Sequence, residues 1–502
     1  MTPGRKHALT AALAAEIAVV VCFAIVYNPF DLNVYLWGGH AITGDARLYL
    51  DQVSRHWFTY PPFAAMLMMP LASLPQVLAR VGWELATVAA LAWSCLLTLR
   101  LAGRRRPSRL VLAGVLAGAL TLEPVYHTLF LGQVNVLLLA LILTDVWLVS
   151  GGWGAGRRNV GAGRGAGGGR GADARLGAGG TGERGVRLLV SVAVAERRDV
   201  VGKLAGRLRA GLAGERGARL AGIGVGVAAA IKLTPAIFIV WFLLARRPRA
   251  ALTAAGTFGC CGLLGYLVAP AASRLYWTRL FDDTGRVSGS YLSNQSPYGT
   301  LSRVLGGVSQ VGGWYVIIPL VIGAAGLAVA AVLARRGDWL GGAAVTGVTG
   351  LLVSPVSWTH HWVWILPALF VLARHGSGGR IAAGCGYALF ALGLPWWTPH
   401  SGGPHEYGWH GLLTMAANSY LLAGLAFVAY MGTRVVLDSR RRAAGAAGRA
   451  GAATGDRDAS RQPAPAAAGS AAVAASAAVA VSPAVAAGSW ARQAPGGLSA
   501  RR

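Results

Sequence analysis

The feature that most constrains this chain is a succession of apolar runs, separated by short polar breaks that hold most of the charge. A helix needs about 20 residues to cross ~30 Å of hydrocarbon. With 54% of its 502 residues hydrophobic and 13% charged, the chain is too apolar for an ordinary soluble enzyme. The pattern predicts an all-α, polytopic membrane protein. About twelve transmembrane helices are expected, near 9–27, 82–99, 110–122, 133–149, 220–232, 235–245, 250–269, 314–334, 341–356, 362–374, 381–396 and 411–432.

Several of these runs are too short to span. The stretches 110–122 and 220–232 reach only ~20 Å at 1.5 Å per residue. Each is followed by a polar break (EPVYHTLFLGQVN, then KLTP) and a further apolar run. Interrupted backbone at membrane depth survives only under protein cover or beside a wet cavity, so short broken or re-entrant pairs are expected to wall such a cavity. YPPFAAMLMMPLASLPQ, Tyr60 to Gln76, is rich in proline and reads as a re-entrant or interfacial helix.

The net charge of +27 would suggest nucleic acid in a soluble protein, but its location says otherwise. Residues 151–219 carry +9 and 434–502 carry +7, both in Gly, Ala and Arg-rich stretches without aromatic residues interleaved for base stacking. The expected organisation is therefore 1–150, the first four transmembrane helices with an outer catalytic loop; 151–219, a largely disordered cytoplasmic insert with an amphipathic stretch VRLLVSVAVAERRDVVGKLAGRL; 220–433, the remaining helices; and 434–502, a disordered cytoplasmic tail. Arg5/Lys6, Arg104–Arg106, the insert, Arg246/Arg247/Arg249, Arg335/Arg336, Arg374/Arg380 and Arg440–Arg442 all fall on one side, which places both termini in the cytoplasm. Loops 28–58, 123–132, 270–313, 357–361 and 397–410 are then extracytoplasmic. The N-terminal run reads as a retained helix rather than a cleaved signal. All five cysteines lie in apolar runs, so neither a disulfide framework nor a thiolate metal site is expected.

Polar residues on the outer side are the candidates for chemistry. Asp31 in NPFDLNVY is either a functional carboxylate or the N-cap of a helix starting at Leu32. The aromatics of FTYPPF suit stacking on a sugar or an interfacial belt. Gln133 and Asn135 in LGQVN suit either substrate binding or helix association. Lys232 in IKLTP lies about 13 residues, roughly 20 Å, beyond Arg219. An ammonium at that depth needs an anion or a wet cavity. His360 and His361 in SPVSWTHHW suit an anion site or an interfacial belt, and Asn294, Gln295 and Arg303 in SNQSPYGTLSR add two amides and a cation. No metal site is expected: adjacent histidines diverge, and no HExxH motif is present.

Taken together and in this order, FDLNVY, FTYPPF with MMPLASLP, LGQVN, AAAIKLTP, SNQSPYG and SPVSWTHHW resemble the actinobacterial polyprenyl-phosphate-mannose-dependent α-1,2-mannosyltransferases of glycosyltransferase family 87. The resemblance runs from Val26 to Tyr430 apart from the insert. It implies a GT-C fold and an inverting transferase at the external face of the cell membrane, with a lipid-linked mannosyl monophosphate as donor and a mannosylated lipid or lipoglycan as acceptor. Asp31 matches the family's catalytic acid, and the histidine pair matches a motif facing the donor phosphate. On this reading His360, His361, Lys232 and Arg303 bind that phosphate, and Tyr35, Tyr60, Gln133, Asn135, Asn294 and Gln295 contact substrate. No cofactor and no nucleic acid are implied. Attack of a sugar hydroxyl on an anomeric carbon needs a base, and a phosphate leaving group needs cations rather than a strong acid. Two alternatives stand beside this reading: a lipid-linked sugar flippase, since discontinuous helices around a cation also mark transporters, and a GT-C transferase for another sugar such as arabinose.

Overall fold

The computed structural model describes residues 25–152 and 215–459, apart from 46, 54–55, 105, 282 and 401–403, and scattered positions from 11 to 23. The chain divides into two units, Met1–Arg440 and Arg441–Arg502. The candidate site lies in the first. Besides a two-stranded hairpin pairing Gln52 with Trp57 and Val53 with His56, and an isolated bridge between Asn294 and Trp358, the described elements are helices.

Among the described residues, four helices are long and apolar enough to cross a membrane: Gln76–Leu101, Pro248–Val268, Gly313–Arg335 and Ser419–Gly445. Arg109–Leu120 and Glu123–Leu131, bent by 73° at the predicted EPVYH break, make a fifth if read as one broken span. The apolar helices Pro62–Ala72, Asn135–Val149, Thr234–Leu244, Trp339–Val353 and Thr359–Ala373 are shorter. Among the described residues four to five helices thus reach spanning length by themselves, where the sequence pattern leads to about twelve, and the first expected span, 9–27, falls only in part within the described residues. Polar breaks cut many of the apolar runs into pieces such as the 9-residue Ile223–Ile231 helix.

These short pieces are held by close backbone approach and by buried side chains. A Cβ on Gly226 would stand 2.5 Å from the Ala254 carbonyl oxygen, so Ile223–Ile231 lies almost directly on the Pro248–Val268 backbone. The amides at its N-terminus have no helical partner. Asp145, 2% exposed on Asn135–Val149, accepts from Val225 N at 2.7 Å and satisfies one of them. With that end anchored, the other ends at Lys232, whose extended backbone (φ −147°, ψ 126°) stops the helix.

Two domain expectations meet the structure only in part. Residues 153–214, most of the insert with its amphipathic stretch, lie outside the described residues, and Glu215–Leu220 are helical. The tail expected to be disordered from 434 is instead helical to Ala459 as the continuation of Ser419–Ala459. Its RRRAAGAAGRAGAA run is rich in alanine, the strongest helix former, and sequence periodicity underestimates such a polar helix. Residues 460–502 are outside the described residues.

Candidate active site

Pro29 takes the N-cap position of helix Phe30–Ala41 and puts Asp31 in the first turn, with no side-chain cap. The capping reading of Asp31 is thereby corrected. Its Oδ2 instead accepts from Gln133 Nε2 at 2.7 Å, across 102 residues of sequence. Gly132 makes this contact possible. It ends Glu123–Leu131 in the left-handed region (φ 69°), and a Cβ there would lie 2.6 Å from Leu32 Cβ. Gln133 Oε1 accepts from Tyr35 OH at 2.6 Å, and Tyr35 OH lies 2.9 Å from Tyr60 OH. The two phenols therefore hold the amide with its nitrogen toward the carboxylate. Gln133 and Tyr35 are buried, whereas Asp31 remains partly exposed. Burial pushes the Asp31 carboxyl above the ordinary aspartate value of 3.8, opposed first by the Gln133 hydrogen bond and then by the charges of Lys232, His127 and His56.

Lys232 stands next to this network. Its Nζ donates to Asn135 Oδ1 at 3.2 Å, lies 2.7 Å from His361 Nε2 and sits 5.7 Å from the Tyr60 ring centre. An ammonium has only donors, so His361 accepts through Nε2 and carries its proton on Nδ1. Asn135 Nδ2 donates to the His360 carbonyl at 3.0 Å, which Thr128 Oγ1 also reaches at 3.0 Å. The broken segments around 131–135, 231–234 and 357–361 are thus tied to one another through their polar breaks. Lys232 and His361 line a cavity of about 340 Å3 with Tyr60, Tyr276, Arg286 and Trp358, within the range of small-molecule sites. The same two residues line a second, narrow cavity of about 40 Å3 walled by Leu138, Ile142, Phe238 and Trp364. Beside them, an apolar groove of about 720 Å3 runs between Pro62–Ala72, Gln76–Leu101 and Asn135–Val149 and includes Val134 and Ile231, the chain neighbours of Gln133 and Lys232.

Asp31, Tyr35, Tyr60, Gln133, Asn135, Lys232 and His361 are brought together. Asn294, Gln295 and Arg303, expected to contact substrate and phosphate, lie apart from this group and spend their hydrogen bonds within the protein. Arg303, 2% exposed, donates to the carbonyls of Ser290, Tyr291 and Asn294 and to Asn418. Asn294 and Gln295, fully buried, bind the Gly289, Pro355, Leu292 and Ala417 carbonyls. A buried loop must satisfy its own backbone groups, and these side chains do so. The His360 ring is buried against the rings of His127 and His361, with neither nitrogen hydrogen-bonded.

Sequence reasoning missed three residues. Arg286 donates to the Tyr49 carbonyl at 2.9 Å and lies 4.6 Å over the Trp57 ring while facing the larger cavity. Its only sequence signal is that it is one of the few cations in the outer loops. Glu123 and His127 sit one helical turn apart in EPVYH, an i, i+4 acid–histidine spacing that is visible in the sequence inside the polar break.

Broken apolar helices around a partly exposed carboxylate and an aromatic-walled cavity that holds Lys232 and the Arg286–Asp283 ion pair define a membrane protein with a built polar site. Its kind follows from its relatives. The chain belongs to glycosyltransferase family 87, whose sequence model matches residues 58–167 and 200–355, and it is a glycosyltransferase. It is 32% identical over 425 residues (80% of this chain, 85% of the relative) to a polyprenol-phosphate-mannose-dependent alpha-(1-2)-phosphatidylinositol pentamannoside mannosyltransferase of Mycolicibacterium smegmatis. A protein of the same description from Mycobacterium tuberculosis is 31% identical over 441 residues (83% and 84%). A phosphatidylinositol mannoside mannosyltransferase of M. tuberculosis, with the same donor dependence, is 29% identical over 396 residues (74% and 77%). No solved structure matches.

Proposed function

We propose that this chain is an inverting mannosyltransferase. It moves mannose from polyprenyl-phosphate-mannose to a phosphatidylinositol mannoside or related lipoglycan, forming an α-1,2 bond. The relatives' donor and acceptor support the substrate class. The observation that carries the mechanism is the junction of Asp31 and Gln133 with Lys232, Asn135 and His361. The twelve-span GT-C arrangement, the cytoplasmic termini and the extracytoplasmic site belong to the same proposal, supported by the one-sided distribution of Arg and Lys.

In the reaction Asp31 removes the proton from the attacking acceptor hydroxyl. The oxygen–C1 bond forms as the bond from C1 to the phosphate oxygen breaks; the lipid phosphate departs with the electron pair, and the proton remains on Asp31. Lys232, Arg286 and the Nδ1–H of His361 stabilise the leaving phosphate in a cavity where fixed charges act more strongly than in water. The apolar groove beside Gln133 and Lys232 suits the donor's hydrocarbon chain. In the direct test, purified protein is reconstituted with radiolabelled polyprenyl-phosphate-mannose and phosphatidylinositol mannosides. The expected product is a labelled glycolipid sensitive to α-1,2-mannosidase, and no labelled product from an intact donor overturns the assignment.

The base also sets the pH dependence. Asp31 acts only when deprotonated, so activity is full above its pKa and falls as pH drops through it. With that pKa raised by burial, the acid limb lies above the ordinary aspartate range. Gln133 lowers the pKa, so Gln133→Ala is expected to move the acid limb to higher pH, read from kcat against pH. An unmoved limb counts against Asp31 as the titrating base.

A further inference from the structure

Glu123 and His127 lie outside the mechanism given so far, although they belong to the same cluster. Glu123 is 1% exposed at the start of Glu123–Leu131, where the broken pair bends. A carboxylate only accepts hydrogen bonds, and this one takes three: Oε1 from His127 Nδ1 at 2.8 Å and from Trp396 Nε1 at 2.7 Å, and Oε2 from Tyr420 OH at 2.9 Å. The partners come from three separate segments, so the carboxylate is immobilised. His127 must carry its proton on Nδ1 to meet Glu123, which leaves Nε2 as the free ring nitrogen, an acceptor in the neutral imidazole.

That ring is not sealed away. The His127 side chain is 17% exposed, packs edge-on to the His360 ring at 5.4 Å and to Trp396 at 5.4 Å, and belongs to the Glu123–Leu131 helix, whose C-terminal Gly132 packs against Leu32, the chain neighbour of Asp31. It is absent from the cavity lined by Lys232, Arg286 and His361. In an inverting displacement the attacking oxygen and the departing phosphate lie on opposite faces of the anomeric carbon. A group that lies close to Asp31 yet stays out of the cavity of Lys232 and His361 belongs on the acceptor's face.

We propose that His127 contacts the acceptor sugar, accepting a hydrogen bond at Nε2 from an acceptor hydroxyl and aligning the acceptor with Asp31, and that buried Glu123 is the positioning residue that fixes its tautomer. This rests on the transfer reaction proposed above. It assigns the EPVYH break an acceptor-binding role. The arrangement follows the general logic of a carboxylate holding an imidazole in one tautomer. Glutamine at 123 reverses that logic, because its amide can donate to Nδ1 and so stabilise the tautomer with the proton on Nε2, turning the acceptor contact into a donor.

The test uses full-length protein in lipid nanodiscs, with the donor and acceptor concentrations varied separately. For His127→Ala we expect acceptor KM to rise at least tenfold while donor KM changes less than twofold. For Glu123→Gln we expect acceptor kcat/KM to fall by a similar factor. The double variant should be no worse than His127→Ala alone, because Glu123 acts through the histidine. If Glu123→Gln costs the same factor again in the His127→Ala background, Glu123 is a structural strut and the proposal is overturned. It is equally overturned if His127→Ala leaves acceptor KM unchanged or raises donor KM to the same extent. Failure of the wild-type protein to transfer mannose at all instead removes the functional assignment on which the proposal stands.

Discussion

Asp31→Asn is expected to lower the transfer rate by roughly 10²–10⁴-fold, the usual loss when a general base is removed, with the protein still folded and still binding donor. Asparagine keeps the shape of the side chain, and its carbonyl can still accept from Gln133, so the bond that joins Phe30–Ala41 to the 132–135 turn survives. It cannot take a proton. A loss of 10³ corresponds to about 4 kcal/mol of transition-state stabilisation, far more than one neutral hydrogen bond contributes. Donor affinity should hold or rise slightly, because a negative charge near the phosphate has been removed. The measurement is kcat under saturating substrates, with donor-analogue binding and thermal unfolding as controls. An undiminished kcat eliminates Asp31 as the base.

The second large effect is expected at Lys232. Lys232→Ala should lower kcat/KM for the donor by roughly 10²–10³-fold, the range seen when one preorganised electrostatic contact to developing charge is lost. Asn135 Oδ1 and His361 Nε2 lose their shared donor, and the cavity loses the cation between the Tyr60 ring and the His361 ring. Lys232 also lowers the Asp31 pKa, so the acid limb should move upward, the same direction as in Gln133→Ala. Donor dependence separates the two variants. Gln133→Ala shifts the pH profile with donor KM little changed, whereas Lys232→Ala changes both. Normal donor kinetics in Lys232→Ala would remove the phosphate pocket from the mechanism.

Much of this site is legible in the sequence because its residues violate local rules. A carboxylate just after an apolar run and an ammonium ~20 Å from the nearest basic loop are costly to leave without partners, so Asp31 and Lys232 stand out in the bare chain. The same holds for the interrupted helices: 13 residues cannot span, and the breaks at EPVYH, LGQVN and KLTP coincide with helix ends at Glu123, Asn135 and Ile231. Arg303 breaks no less noticeable a rule, yet its guanidinium serves the 290–294 carbonyls. Arg286, unremarkable in sequence, faces the cavity instead.

What the sequence determined by itself was the membrane class, the places where helices break, and which residue types had to find partners, because those follow from hydrophobic run length and the cost of an unpaired charge. Which partner each one found was decided only by tertiary structure. The pairs that build the site, Asp31 with Gln133 and Lys232 with Asn135 and His361, lie 97 to 129 residues apart. Hydrogen bonds are satisfied within about 3 Å, and no local pattern records which distant donor or carbonyl the packing of helices will bring to that distance.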